Sequence, residues 1–235
     1  MQQIAESVGL AIGLLLAADA DLLEIVTLSL YVSLSATSIA CVLGLPLGAI
    51  LAVTRFPGRG PVLVLINALM GLPPVVVGLI VYLQLSRSGP LGFLGLLYTP
   101  TAMIIAQTIL IAPIVVALSR QVLEDLHLEY AEQFRSLALS ARQTIQALLW
   151  DGRFALFTVA LAGFGRAVAE VGAVMIVGGN IDHLTRVMTT AITLETSRGN
   201  LPLALALGIV LLALAMAVTA AVHGIRAGTA GHADA

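Results

Sequence analysis

Two opposite charges stand inside one apolar run. In the stretch Gly163 to Asn180, GFGRAVAEVGAVMIVGGN, Arg166 and Glu170 lie four residues apart, the spacing that brings two side chains together on one helix face. Each charge alone costs about 2.5–3.5 kcal/mol at the centre of a membrane helix. Three roles stand for the pair: a structural ion pair at a bundle or dimer interface, a gate element in a pore, and, for Arg166, a ligand for a dianion. Glu170 weighs against the third role, because it repels a dianion placed beside it. Gly163, Gly165 and Gly172 leave room for close helix approach, as small residues do in membrane bundles. Gly178-Gly179-Asn180 reads as a helix stop.

The elements that position this pair follow from composition. Of 235 residues, 59% are hydrophobic and 10% are charged, against about a quarter charged in a soluble domain. The chain is expected to be an all-α integral membrane protein. Five segments are long and apolar enough to span: about Leu22–Val53, Val62–Leu85, Leu97–Leu118, Phe154–Val177 and Leu203–Val222. Continuous apolar runs exclude the alternation of a membrane barrel. Pro46, Pro73, Pro74 and Pro113 fall within spans and predict three interruptions around a packed bundle.

Alternate connections divide the arginines unequally. One side holds Arg55, Arg59, Arg120, Arg135, Arg142, Arg153 and Arg226; the other holds Arg87, Arg186 and Arg198. The arginine-rich side should be cytoplasmic, which puts the N-terminus outside and the C-terminus inside. The chain then divides into an interfacial segment (1–21), a membrane domain (22–225) with a cytoplasmic insert (120–153), and a cytoplasmic tail (226–235). The apolar stretch from Val8 to Ala18 is too short to span, which takes about 20 residues. Gln2, Gln3 and Glu6 precede it, not a basic signal-peptide region.

Several chemistries are excluded. Among Lys and Arg the chain uses only Arg, so it has no phosphate loop of the form G-x-x-x-x-G-K-[ST] and no ATP site of its own. Cys41 is the only cysteine, and reads as a small buried hydrophobe. The four histidines show no ligand spacing, so neither a metal nor a cofactor is expected. A net charge of −2 offers no basic face to nucleic acid. No nucleophile elbow or His-Glu metal motif marks an enzyme.

The insert reads RQVLEDLHLEYAEQFRSLALSARQTIQALLWDGR. Leu128, Ala131, Phe134, Leu137 and Ala138, then Ile145 and Leu148, recur at helical spacing. Ser140 should break it into two helices. Such a surface element either lies on its own bundle or docks a soluble subunit. Within it, EQFRSLALSARQTIQALLWD resembles the EAA loop of type I ABC importer permeases. Glu132 takes the Glu position and Ala138 the Gly position. Leu148 and Trp150-Asp151 fall at the Ile and Leu-Pro positions. The stretches LPPVVVGLIVYLQLSRSGPLG, LLYTPTAMIIAQTIL, GFGRAVAEVGAVMIVGGNI and TRVMTTAITLETSRGN are similar to the tungstate permeases of tungstate/molybdate importers.

The resemblance implies a multi-pass subunit of the cytoplasmic membrane, embedded in lipid, that translocates an oxyanion. Tungstate is the expected substrate; molybdate or another oxyanion is the alternative, and an ATP-independent secondary transporter a more distant one. It implies that two copies form the pore, that two cytoplasmic ATPase subunits supply the energy, and that an external binding protein delivers the anion. ATPase coupling falls on Glu132, Arg135, Ser136, Leu137, Ala138 and Ser140. By themselves Glu132 and Arg135 read as an i,i+3 surface ion pair. The outer run from Val187 to Leu194 is amphipathic, and is an interfacial cap or a part of the outer gate and docking face.

Overall fold

The computed structural model describes residues 10, 12, 13, 16, 17 and 19–233. The proposed interfacial segment lies largely outside the described residues. Ahead of the first long helix, the Asp19 carboxylate accepts the Asp21 and Leu22 amides at 3.2 Å each. It thereby satisfies two of the donors a helix start leaves open. Helix α1 (Ala20–Val53) follows and runs for 34 residues with Pro46 inside it.

The second apolar segment is two helices, α2 (Arg59–Met70) and α3 (Pro74–Leu85), with a break between them. Two consecutive prolines explain the break. The residue before a proline is pushed to extended backbone, and Pro73 sits at φ −64°, ψ 122° ahead of Pro74 in the first turn of α3. A single proline does less: Pro46 lies inside α1 and Pro113 inside α4 (Pro100–Glu129). Of three expected interruptions, only the Pro73-Pro74 one ends a helix. A 3₁₀ turn at Gly92–Leu94 joins α3 to α4.

The insert folds as helix, break and helix. Helix α4 carries on to Glu129; α5 (Ala131–Ser136) and α6 (Ala141–Asp151) come next. A 72° bend at Gly152 leads to α7 (Arg153–Val168). There the expected fourth span fails as one helix. Helix α7 ends at Val168, and a separate short helix, α8 (Gly172–Gly178), resumes after Glu170. Helices α9 (Met188–Arg198) and α10 (Leu201–Ala233) complete the order. Among the described residues there is no strand. By length and composition α1, α4 and residues Leu201–Ala221 can each cross a membrane, and each bent pair, α2–α3 and α6–α7, raises the total to as many as five.

The chain forms two compact units, one from residues up to Ala36, Pro73–Gln107 and Gly165–Ala217, the other from Thr37–Leu72, Thr108–Phe164 and Val218 onward. The first buries Val32, Met103, Val174, Val177, Met188 and Leu207. The second buries Ala49, Ala52, Leu123, Leu148 and Leu156, with Tyr130, Phe134 and Ile145 packed against them. In that unit Glu124 takes both Arg59, at 2.8 Å, and Arg120. Outward positions such as Val42, Leu65, Leu212 and Met216 are apolar and exposed, as lipid contact requires. Cys41, expected buried, is half-buried.

Candidate functional site

The sequence-predicted charge pair forms at the break between α7 and α8. Arg166 Nη1 donates to Glu170 Oε2 at 2.5 Å, and Glu170 Oε1 accepts the Ala173 amide at 3.1 Å. Glu170 is 4% exposed, whereas the Arg166 side chain is 36% exposed. The carboxylate therefore acts twice: it neutralises the arginine and satisfies one open donor at the start of α8. A dianion at Arg166 would meet a guanidinium already paired.

The broken backbone is held from outside the helix. Gln107 Nε2 donates to the Ala167 carbonyl at 3.2 Å, and Thr189 Oγ1 to the Glu170 carbonyl at 2.7 Å. Ser29 Oγ accepts the Met188 amide at 2.7 Å. The first two side chains replace bonds that a continuous helix would make for itself, and the third satisfies an open donor at the start of α9. They surround a cavity of about 10 Å³ lined by Ser29, Ser33, Gln107, Glu170 and Thr189, room for about one water. Gln107 Oε1 has no hydrogen-bond partner among the described residues. Apart from Glu170, and Thr189 within the outer run from Val187 to Leu194, the sequence reading does not single these residues out. The signal was present: Ser29, Ser33 and Thr37 recur every fourth residue in apolar α1, and all are buried.

The glycines hold close contacts. A Cβ at Gly172 would stand 2.9 Å from Val75 Cγ2, and one at Gly163 would stand 3.1 Å from Ile111 Cγ2. The Gly165 carbonyl accepts the Ala169 amide at 3.3 Å at the end of α7. Gly78, in α3, lies closest of all to α8, where an added Cβ would stand 2.8 Å from Ala173 Cα. The expected stop is present: α8 ends at Gly178, with Gly179 at φ 71° and Asn180 at φ 51°.

The expected coupling residues form an exposed knob. Glu132, Arg135, Ser136, Leu137, Ala138 and Ser140 are all exposed, Leu137 by 68%. Among the described residues Glu132 and Arg135 make no ion pair, with each other or with another group; a solvated pair on a six-residue helix gains too little to hold two long side chains. Helix α5 ends with Ala138 at φ 49°. The Leu139 amide bonds the Phe134 carbonyl and the Ala138 amide the Arg135 carbonyl, both at 3.1 Å. That is the glycine-type helix terminus, built here on alanine. Ser140 then caps α6: its amide donates to Gln143 Oε1 at 2.9 Å, and its Oγ accepts the Gln143 amide at 3.5 Å. Ser136 Oγ donates back to the Gln133 carbonyl at 2.8 Å. Asp151 beside Tyr130 pushes the tyrosine phenol above its ordinary range.

The family model for inner membrane components of binding-protein-dependent transport systems matches residues 44–228. The chain belongs to this family. Across 226 residues the permease is 40% identical to the tungstate uptake system permease protein TupB of Peptoclostridium acidaminophilum, covering 96% of this chain and 99% of that relative. It is 41% identical over 204 residues to a probable anion ABC transporter permease protein of Haloferax volcanii, covering 85% and 88%. The molybdenum transport system permease protein ModB of Azotobacter vinelandii is more distant, 28% identical over 186 residues, covering 72% and 79%. The permease is thus a multi-pass membrane subunit of a transporter. Ala138 itself holds a left-handed backbone, a conformation that glycine adopts without strain.

Proposed function

We propose that this permease forms the translocation path of an ATP-driven tungstate importer. Two copies line the pore, two cytoplasmic ATPase subunits dock on the exposed knob from Glu132 to Ser140, and an external binding protein presents the anion. The near full-length similarity to a tungstate uptake permease carries the substrate reading. The chain's lack of a lysine for any phosphate loop is in keeping with energy supplied by another subunit. With the arginine-rich side inside, α5 and α6 face the cytoplasm, and the His183 loop and α9 face the binding protein. Arg166 and Glu170 brace the broken span beside the pore, with Gly163, Gly165 and Gly172 keeping its neighbours close. Molybdate is the alternative cargo, since both are tetrahedral dianions of similar size.

The test is uptake by vesicles holding the permease, its ATPase and its binding protein. Tungstate uptake should require ATP, and tungstate should outcompete molybdate. Uptake that persists without ATP or without the ATPase subunit contradicts the importer. A preference for molybdate contradicts the substrate alone.

A further inference from the structure

A groove of about 590 Å³ opens in the second unit, walled by Val42, Leu45 and Pro46 of α1 and Leu156, Phe157 and Ala160 of α7. Its rim is apolar and outward: Val42 is 72% and Phe157 54% exposed. Its size falls among ordinary ligand sites. One charged residue lines it, Arg153. Among the described residues, no carboxylate pairs with Arg153. The guanidinium lies over the rings of Trp150 and Phe154, at 4.9 and 4.6 Å, and Nη1 donates to the Trp150 carbonyl at 2.7 Å. Two rings and a carbonyl thus fix the fork in place and leave Nε and Nη2 to an outside acceptor.

A fixed, unpaired guanidinium beside a hydrocarbon wall complements an anion that carries its own hydrocarbon. Guanidinium is weakly hydrated and its fork matches phosphate oxygens. Trp150, 72% exposed, lies under the Arg153 guanidinium, and an exposed ring beside an arginine suits the headgroup level of a membrane. We propose that this groove holds one anionic phospholipid, its phosphate on Arg153 and an acyl chain along Val42, Leu45 and Phe157. Charge complementarity selects this occupant over a zwitterionic lipid or a second copy of the chain.

The test uses the full-length permease in phosphatidylcholine vesicles. Trp150 is the only tryptophan of the chain, so its fluorescence reports contact with brominated lipid. Brominated phosphatidylglycerol should quench at about fivefold lower mole fraction than brominated phosphatidylcholine, the weight of one interfacial arginine. Arg153→Gln should abolish that preference, and Arg153→Lys should keep most of it. Equal quenching by the two lipids in the wild type overturns the proposal, as does an undiminished preference in Arg153→Gln. Loss of the preference on adding inorganic phosphate would assign Arg153 to a free anion and overturn the lipid. Efficient cross-linking of Cys41 between two copies would assign the groove to an interface of the chain with itself, and also overturns it.

Discussion

Arg166 Nη1 meets Glu170 Oε2 at 2.5 Å across a point where α7 has already ended. The pair spans a broken helix, and the other carboxylate oxygen caps the helix that follows. Glu170→Gln keeps an acceptor for the Ala173 amide but loses the charge; Glu170→Ala loses both. The alanine variant should lose about 2 kcal/mol of stability, the cost of a lost charged hydrogen bond and an open amide, less than for a fully buried pair because Arg166 is 36% exposed, and the glutamine variant about half of that. Thermal unfolding of the purified permease measures both. Exchanging the charges, Arg166→Glu with Glu170→Arg, restores the pair only. It places arginine where 4% of the residue is exposed and removes the cap, so transport should recover in part. Full recovery would show that the cap is idle.

Two glycines on neighbouring contacts should respond differently to one methyl group. At Gly78 an added Cβ stands 2.8 Å from Ala173 Cα, and at Gly178 it stands 2.9 Å from Met103 Sδ. Backbone cannot step aside without moving α3 off α8, whereas a methionine side chain repacks readily. Gly78→Ala should cost about 1–3 kcal/mol by overpacking, and Gly178→Ala clearly less. Thermal unfolding of the two variants checks the order, and equal losses would count against rigid packing of α3 on α8.

Ala138 holds a left-handed backbone, φ 49°, which costs an L-residue roughly 1–2 kcal/mol. Ala138→Gly should therefore stabilise the end of α5, by up to about 1 kcal/mol once the glycine's greater unfolded freedom is subtracted. Ala138→Val should do the reverse. Slower amide exchange at Leu139 in the glycine variant checks it. A destabilising glycine would mean that the terminus is not strained.

What was legible in the sequence was local. Ser140 with Gln143 three residues on is capping chemistry written in one turn, and the break is there. Gly179-Asn180 ends α8 for the same kind of reason. The break at residues 169–171 was not legible, because Ala169, Glu170 and Val171 are ordinary helix residues. Gln107, reaching Ala167 from 60 residues away, and Thr189, reaching Glu170 from 19 away, hold it open. No window of neighbouring residues contains such bonds. The charge pair itself was legible from i,i+4 spacing, but its second task, capping α8, required knowing that the helix stops. Prolines misled in the opposite sense, since a packed helix accommodates one and yields to two.

His183 Nδ1 lies 2.8 Å from Glu24 Oε2, joining the loop after α8 to α1. The histidine pKa is raised above 6.5, first by that hydrogen bond, then by the charges of Glu24, Asp182 and Asp21. A raised folded pKa means that the contact is fully present below about 6.5 and is lost as pH climbs through the folded value. The difference in melting temperature between wild type and His183→Gln should therefore shrink from pH 5.5 to 8.5. Because the pair is exposed, added salt should shrink it further. A difference that grows with pH would contradict the assignment.

On the proposed function, the exposed knob beginning at Glu132 couples this permease to an ATPase. The most direct measurement is ATP hydrolysis by the reconstituted importer, with and without anion-loaded binding protein, in wild type and Glu132→Ala. Glu132 is exposed and without an ion-pair partner among the described residues, so its loss should leave folding and insertion unchanged. Stimulation by the binding protein should fall to the basal rate in the variant. Stimulated hydrolysis equal to wild type would contradict it.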